Sequence, residues 1–267
     1  MIQQPAMIAR RVILTAICLL GLPAIADVPE ALPRIAIIID DLGYGLAVGE
    51  RAVSLPGPVA YAVLPATPRG RVLAEKAHAN GKEVLLHLPL QSASIEETDE
   101  PGGLLLDMSR VEFASVFTES FESVPHAVGI NSHRGSLLTR HPGHMAWLME
   151  DIQRHGELFF VDSYTTHESI ALKVAREAGV PAVRRDVFLD PDQESGTLER
   201  EFARLKKLAR QRGFAVGIGH PYPRTLALLE DELPKLEDEG FELVSISRYV
   251  ALRNKPLTST PAGAEAE

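Results

Sequence analysis

Residues 35–45 have the sequence Ile-Ala-Ile-Ile-Ile-Asp-Asp-Leu-Gly-Tyr-Gly, in which five apolar residues lead into two carboxylates and two glycines. An apolar run of this length that ends at a glycine predicts a strand buried on both faces. In α/β folds, ligands bind at the carboxyl end of such strands. Because successive strand residues point to opposite sides, Asp40 and Asp41 are expected to have different roles. An alternative is that one of them caps the next helix.

The first 26 residues have the features of a signal peptide. Arg10 and Arg11 precede an apolar run at 12–22, and Ala24-Ile25-Ala26 provides small residues for cleavage. The apolar run is short for a membrane span, although an uncleaved anchor remains an alternative. We therefore expect a periplasmic or secreted protein that has no membrane span after cleavage.

Charge and cysteine content narrow the possible chemistry. The formal net charge of −9 becomes about −11 without Arg10 and Arg11, so nucleic acid is an unfavourable partner. Cys18 is the only cysteine and lies in the predicted signal peptide. The mature chain would therefore have neither disulfides nor thiol ligands, and a metal would have to bind to histidines and carboxylates.

The rest of the chain alternates between predicted strands and helices. This alternation favours parallel strands with right-handed crossovers in one domain over 34–252, followed by a disordered tail at 256–267. Seven or eight strands could close into a (β/α) barrel or remain an open doubly wound sheet. No Gly-x-Gly-x-x-Gly motif follows the first strand, which disfavours a dinucleotide-binding fold. The strands are predicted at 35–40, 59–65, 83–89, 127–131, 158–162, 182–186, 214–220 and 241–246.

Ionisable side chains recur where these predicted strands end. A parallel barrel would bring all of them to one rim. The other histidines, at 78, 126, 141, 144, 155 and 167, fall on helices or connections and are predicted to be surface or capping residues. The rim residues are Asp40, Asp41, His87, His133, Asp162, Asp186 and His220.

Two imidazoles and one carboxylate with open positions suit a catalytic divalent cation. A second carboxylate could take a proton from an attacking water, and a further imidazole could protonate the leaving group. We assign the carboxylates to Asp40 and Asp41, the imidazole ligands to His87 and His133, and the acid to His220.

Several short motifs, taken in order, resemble the divergent polysaccharide deacetylase family. The resemblance covers about residues 34–250. The motifs are Ile-Ile-Asp-Asp-Leu-Gly at 38–43, Ala-Val-Leu-Pro at 62–65, Leu-His-Leu-Pro-Leu-Gln at 86–91, Gly-Ile-Asn-Ser-His-Arg-Gly-Ser at 129–136, Phe-Val-Asp-Ser at 160–163, Arg-Asp-Val-Phe-Leu-Asp at 185–190 and Gly-His-Pro-Tyr-Pro at 219–223.

This resemblance implies a distorted (β/α) barrel like that of the NodB-type carbohydrate esterases. It implies that Asp40 is the base, Asp41 a metal ligand and His220 the acid, with zinc as the expected metal. Those esterases take both metal histidines from one His-x-x-x-His segment, but no second histidine follows His87 here, so His133 is our choice.

The residues expected to bind substrate come from the same rim. Within the resembling family, Asn-Asn-His-Met-Gly-Ser is expected around His133 and Asp-Ser-Arg-Thr after the fifth strand, and this chain departs from both. Arg134 is expected to supply the positive charge that Tyr164 cannot. The predicted substrate-binding residues are Arg134, Asp162, Tyr164, Asp186 and Tyr222.

These observations predict an exported, metal-dependent hydrolase that removes acetyl groups from a cell-envelope polysaccharide. One alternative is a non-catalytic periplasmic module that binds carbohydrate or protein on the same scaffold. Another is a metal-free glycosidase in which Asp40 acts with Asp162 or Asp186.

Overall fold

The computed structural model describes residue 1 and residues 31–94, 100–192 and 194–254. The predicted signal peptide, apart from residue 1, and the predicted tail at 256–267 lie outside the described residues. Within the described ranges, no helix has the length and apolar character needed to cross a membrane.

One parallel sheet organises the described domain. Eight strands pair in the order β6-β5-β4-β3-β2-β1-β8-β7, and β9 pairs with β1. Each predicted strand is present, although the last has only two residues. The strands are β1 (Arg34–Leu42), β2 (Ala60–Val63), β3 (Glu83–Leu90), β4 (Ala127–Arg134), β5 (Phe159–Asp162), β6 (Ala182–Arg184), β7 (Val187–Phe188), β8 (Phe214–Gly219) and β9 (Glu242–Leu243).

The strand predicted at 182–186 is shorter in the structure and ends at Arg184, and the next strand, β7, lies at the opposite edge of the sheet. Arg185 donates its backbone N–H to Asp162 in β5, whereas Asp186 donates to Val216 in β8. The chain thus changes its pairing partner between two consecutive residues, joining the edge strands β6 and β7. The predicted (β/α) barrel of mainly parallel strands is confirmed, with an eight-strand path.

The helices cover the outside of the sheet, with one exception. The helix α7 (Pro223–Glu232) ends before a short 3₁₀ turn that contains Pro234, because proline has no backbone N–H with which to continue an α-helix. The sequence analysis missed α8, whose N-cap Ser245 accepts a hydrogen bond from the Arg248 N–H. The helices are α1 (Leu46–Ala52), α2 (Gly70–Ala79), α3 (Arg110–Ser123), α4 (Pro142–Arg154), α5 (Ala171–Glu177), α6 (Thr197–Arg212), α7 (Pro223–Glu232) and α8 (Ile246–Arg253).

The core has two apolar layers because the strands alternate. In β1, Ile35, Ile37 and Ile39 pack against the outer helices, whereas Ala36 and Ile38 face the interior of the barrel. The helix α8 contributes Tyr249 and Val250 to the inner layer. The inner apolar layer therefore leaves only the carboxyl ends of the strands for polar side chains.

Candidate metal centre and active site

The polar residues of the rim continue the inward-facing register of the strands. The inner apolar layer contains Ile38, Leu85 and Ile218. Since side chains alternate along a strand, the residues two positions further on face the same side, and these are Asp40, His87 and His220. Asp40 and His87 are buried, and His220 is half-buried. The alternation that builds the core thus also delivers three ionisable groups to one place.

A β-bulge brings Asp41 to the same place. The pairing of β1 with β2 slips by one residue between Ile39 and Leu42, and Asp41 has a left-handed φ of 58°. His87 Nε2 consequently lies 3.6 Å from Asp40 Oδ2 and 3.1 Å from Asp41 Oδ1. Simple alternation predicted different directions for the two carboxylates, but the bulge turns both of them to the rim.

Asp41, His87 and His133 form a compact triangle of donor atoms. Asp41 Oδ1 lies 3.1 Å from both His87 Nε2 and His133 Nδ1. The two imidazole nitrogens are 3.0 Å apart. Ligand bonds of about 2.0–2.2 Å place the atoms around one cation at about this separation. The predicted ligand set can therefore share a single ion.

A hydrogen bond sets the tautomer of His87, and a nearby carboxylate favours one tautomer of His133. The Asn131 side chain donates from Nδ2 to Asp40 Oδ1 at 2.7 Å, so its Oδ1 accepts from His87 Nδ1 at 2.8 Å. His133 Nε2 lies 3.0 Å from Glu100 Oε2, which favours a proton on that nitrogen. If both imidazoles are neutral, the nitrogens that face Asp41 carry no proton. These are His87 Nε2 and His133 Nδ1.

The electrostatics of the triangle fit a cation. Asp41 Oδ1 is buried and accepts no hydrogen bond within the described structure, although two imidazole nitrogens lie beside it. Three converging lone pairs repel one another unless a positive charge lies between them. A divalent metal bound by Asp41, His87 and His133 would supply that charge.

The pKa directions agree with a need for positive charge in the triangle. Burial opposes protonation of His87, but the charge of Asp40 and the contact with Asp41 raise the pKa of His87 to about 9. Burial would raise the pKa of Asp41, yet its contacts with His133 and His87 hold it well below the usual range. In the metal-free protein, the proton on His87 therefore supplies the positive charge that a bound metal would otherwise supply.

Asp40 has the environment of a general base. Burial raises its pKa, and the positive charges of His87 and His220 oppose that rise. Arg185 carries a further positive charge that interacts with Asp40. Its guanidinium is fixed by donating to the backbone carbonyls of Ser163 at 2.6 Å and Tyr164 at 2.9 Å.

His220 is positioned by Asp190, which follows β7. The Asp190 carboxylate lies 2.9 Å from His220 Nδ1 and also accepts the backbone N–H of His220 at 2.8 Å and the hydroxyl of Thr225 at 2.7 Å. Burial lowers the pKa of His220, but the hydrogen bond to Asp190 and the charge of Asp40 outweigh it and raise that pKa. The free Nε2 lies 3.6 Å from Asp41 Oδ2.

A cavity of about 300 Å³ opens over these groups. Arg134, which has a left-handed φ of 53°, lies in its wall and forms an ion pair of 2.9 Å with Glu100. The cavity is thus a small polar cleft above the triangle. It is lined by Asp40, His87, Ser132, His133, Arg134, Ser163, Thr165, Arg185, Phe188 and His220.

The other predicted substrate-binding residues lie around this cleft rather than in its wall. Asp162 is buried and accepts hydrogen bonds from the Tyr164 N–H and the Ser169 hydroxyl. Asp186 accepts the Val216 N–H, while Tyr222 is exposed, with its ring centroid 5.3 Å from that of His220. Their assignment to substrate binding stays a prediction.

Four residues of the site have no role predicted from the sequence: Asn131, Arg185, Asp190 and Glu100. The strand register contained a signal for two of them, because Asn131 lies two residues before His133 and Arg185 two residues after inward-facing Val183. Asp190 and Glu100 reach the site from loops, for which no comparable periodicity exists.

Residues 37–250 match the sequence profile of the family described as divergent polysaccharide deacetylase. The chain belongs to this family. It is 35% identical over 254 residues to the uncharacterized protein YibQ of Escherichia coli K12, a match that covers 94% of this chain and 76% of YibQ. An uncharacterized protein of Haemophilus influenzae is 36% identical over 206 residues, covering 77% of this chain and 73% of the relative.

A solved structure resembles this member of the divergent polysaccharide deacetylase family. It is an uncharacterized protein from Agrobacterium tumefaciens C58, with a TM-score of 0.78 and 22% identity over 83% of this chain and 90% of the other. At this level of identity the likeness supports the fold alone.

Proposed function

We propose that this protein is an exported, metal-dependent hydrolase that removes acetyl groups from a cell-envelope polysaccharide. The observation that carries the proposal is the convergence of Asp41, His87 and His133, with donor atoms 3.0–3.1 Å apart, beside the buried carboxylate of Asp40. Membership of the family supports a carbohydrate substrate.

Asp41, His87 and His133 would hold the cation, for which zinc is our choice. When bound, such a cation polarises a carbonyl oxygen and lowers the pKa of a water. Asn131 fixes the imidazole of His87 through its other ring nitrogen, an arrangement typical of metal sites. The Glu100 carboxylate lies 3.0 Å from the other ring nitrogen of His133.

Asp40 and His220 have complementary proton-transfer roles in the proposed reaction. Asp40 accepts the proton of the attacking water, and its raised pKa makes it a more effective base. His220 donates from Nδ1 to Asp190, which favours the imidazolium form. In that form Nε2 also carries a proton, which His220 gives to the leaving amine or alcohol. Arg185 keeps positive charge near Asp40 and maintains its orientation through two backbone carbonyls.

A pair of carboxylates acting without a metal has less support. Asp162 and Asp186 both accept hydrogen bonds from the protein's own backbone N–H groups. Neither carboxylate lines the cleft together with Asp40.

The test is acetate release from an acetylated glycan by the purified, zinc-loaded protein. The Asp40→Asn variant should reduce the rate by ~10²–10⁴, because it removes the proton acceptor, while zinc content stays stoichiometric. Asp231→Asn on the exposed side of α7 is the control and should retain full activity.

Zinc bound by Asp41, His87 and His133 without acetate release from any acetylated glycan tested would instead support a non-catalytic binding module. Equal rates for Asp40→Asn and the unaltered protein would exclude Asp40 as the base.

A further inference from the structure

A second cavity, of about 420 Å³, adjoins the catalytic cleft and is rich in arginine. Both cavities are lined by Arg185 and Phe188, with the Arg185 guanidinium 4.7 Å from the centroid of the Phe188 ring. These two residues therefore form a shared wall. The second cavity is lined by Tyr164, Arg184, Arg185, Asp186, Phe188, Pro191, Glu201, Arg204, Leu208 and Arg212.

The charge of this cavity contrasts with that of the chain. Four arginines and only two carboxylates line it, whereas the whole sequence has a formal net charge of −9. Like charges that gather in a concave surface attract counter-ions more strongly than isolated ones. Such a local excess in an acidic protein points to a bound anion.

The carboxylates of the cavity do not neutralise all four guanidinium groups. Arg204 pairs with Glu201 at 2.9 Å and Arg212 with Asp186 at 3.2 Å. Arg184 is exposed, lies 4.0 Å from the Tyr164 ring centroid and has no ion-pair partner among the residues described.

Arg185 is half-buried, whereas the other three arginines of the cavity are exposed. Burial is the main reason that its pKa is lowered, and the charges of Arg204 and Arg184 lower it further, against the opposing effect of Asp40 and Asp162. A guanidinium with a lowered pKa remains protonated, so Arg185 keeps its positive charge in the wall between the two cavities.

We propose that this arginine pocket is a subsite for an anionic group, a carboxylate or phosphate, carried by the glycan unit next to the one in the catalytic cleft. Guanidinium forks suit both oxyanions. The proposal rests on the function proposed above, because it places an acetylated sugar in the cleft and an acidic neighbour beyond the shared wall. The preferred substrate is therefore an acidic polysaccharide.

The test compares two tetrasaccharides by titration calorimetry. One alternates N-acetylglucosamine with glucuronate, and the other contains only N-acetylglucosamine. The titrations use zinc-loaded protein carrying Asp40→Asn, so that bound glycan is not consumed. We expect the acidic tetrasaccharide to bind at least ~10-fold more tightly at low salt, and inorganic phosphate to compete with it.

Two further variants in this background locate the effect. Arg204→Gln with Arg212→Gln should remove most of the preference, because both side chains lie in the second cavity. Arg154→Gln is the matched control: Arg154 and Arg204 are similarly exposed, at 63% and 57%, and each pairs with an acid three residues earlier. It should leave both affinities unchanged.

Equal affinity for the two tetrasaccharides would overturn the subsite, as would a preference that survives the double substitution or is lost in Arg154→Gln. Binding of phosphate without preference for the acidic tetrasaccharide would also overturn it, since the anion would then not belong to the glycan. These outcomes are separate from the failure of the hydrolase proposal, because binding is measured without turnover.

Discussion

Two clusters in this protein contain the same side-chain types, two imidazoles and one carboxylate, but differ in geometry and burial. The rim cluster combines residues of three β-strands, whereas the surface cluster combines two residues of helix α2 with one from the turn before β4. Both include a residue with a left-handed backbone. We call them the rim cluster, formed by Asp41, His87 and His133, and the surface cluster, formed by Glu75, His78 and His126.

In the surface cluster the side chains do not converge. The rings of His78 and His126 stack in parallel at 3.8 Å, and only His126 contacts the Glu75 carboxylate, at 2.8 Å. The side chains of His126 and Glu75 are 33% and 54% exposed. Water can therefore satisfy their polar atoms, and no buried charge needs a partner.

Backbone strain does not distinguish the two clusters. Asp41 has a φ of 58° and His126 a φ of 63°, and both values cost energy in a residue with a side chain. What differs is that the rim cluster alone, within the described residues, brings three donor atoms within 4.8 Å of one another. Convergence and burial, rather than residue type or strain, therefore mark a candidate metal site.

The largest expected difference is in metal binding. His133→Ala removes one of three ligands from the rim cluster, so we expect a loss of zinc affinity beyond the ~10–100-fold that follows removal of an outer partner. His126→Ala should retain stoichiometric zinc. Metal content after dialysis measures both, and an equal loss in the two variants would remove the distinction between the clusters.

A smaller effect is expected from Asn131, which orients His87 and has no counterpart in the surface cluster. Asn131→Ala removes the acceptor for His87 Nδ1, and we expect zinc affinity to fall ~10–100-fold because the ring loses its fixed tautomer. Competition with a chelator gives the affinity. Glu75→Gln is the control. If it lowers the zinc affinity as much as Asn131→Ala does, the orienting role of Asn131 is wrong.

The rim cluster should make the metal-free protein sensitive to pH. The pKa of His87 is raised to about 9 from 6.5. The stability that its protonation contributes is therefore fully present below about pH 6.5 and is lost as the pH rises through about 9. We expect the melting temperature of chelator-treated protein to fall between pH 7 and 9. His87→Asn should weaken this dependence, whereas a profile unchanged by His87→Asn but altered by His126→Asn would contradict the assignment.

The smallest effect concerns the strained backbone of the surface cluster. His126→Gly relieves a left-handed strain of about 1–2 kcal/mol, offset by about 0.5–1 kcal/mol of glycine entropy and by the lost exposed contact with Glu75. Stability should thus stay within about 1 kcal/mol in urea unfolding. His78→Gly removes the same ring stacking but places the glycine in helix α2, so it should lower the free energy of unfolding by more than His126→Gly does. Equal losses would show that the φ of His126 carries no cost.

The alternation of parallel strands and helices was predictable because its determinants are local, whereas the choice of a barrel over an open sheet came from the family resemblance. Apolar runs such as Ile35–Ile39, each followed by a helical segment, dictate parallel strands whatever the distant partners are. The same register predicts which residues reach the rim, and it identified His87, His133 and His220. The helix α8 was missed because its few apolar residues, among them Tyr249 and Val250, fit a strand or a helix equally well.

By itself, the sequence determined the order of strands and helices and the ionisable residues that end them, since both follow from short-range periodicity. Only the tertiary structure decided that a bulge turns Asp41 beside Asp40, and that Asp190 and Glu100 reach His220 and His133 from loops. It also decided that four arginines meet beside the cleft. These features depend on strand register and on the order in which the strands pair, and both are set by contacts between residues far apart in the chain.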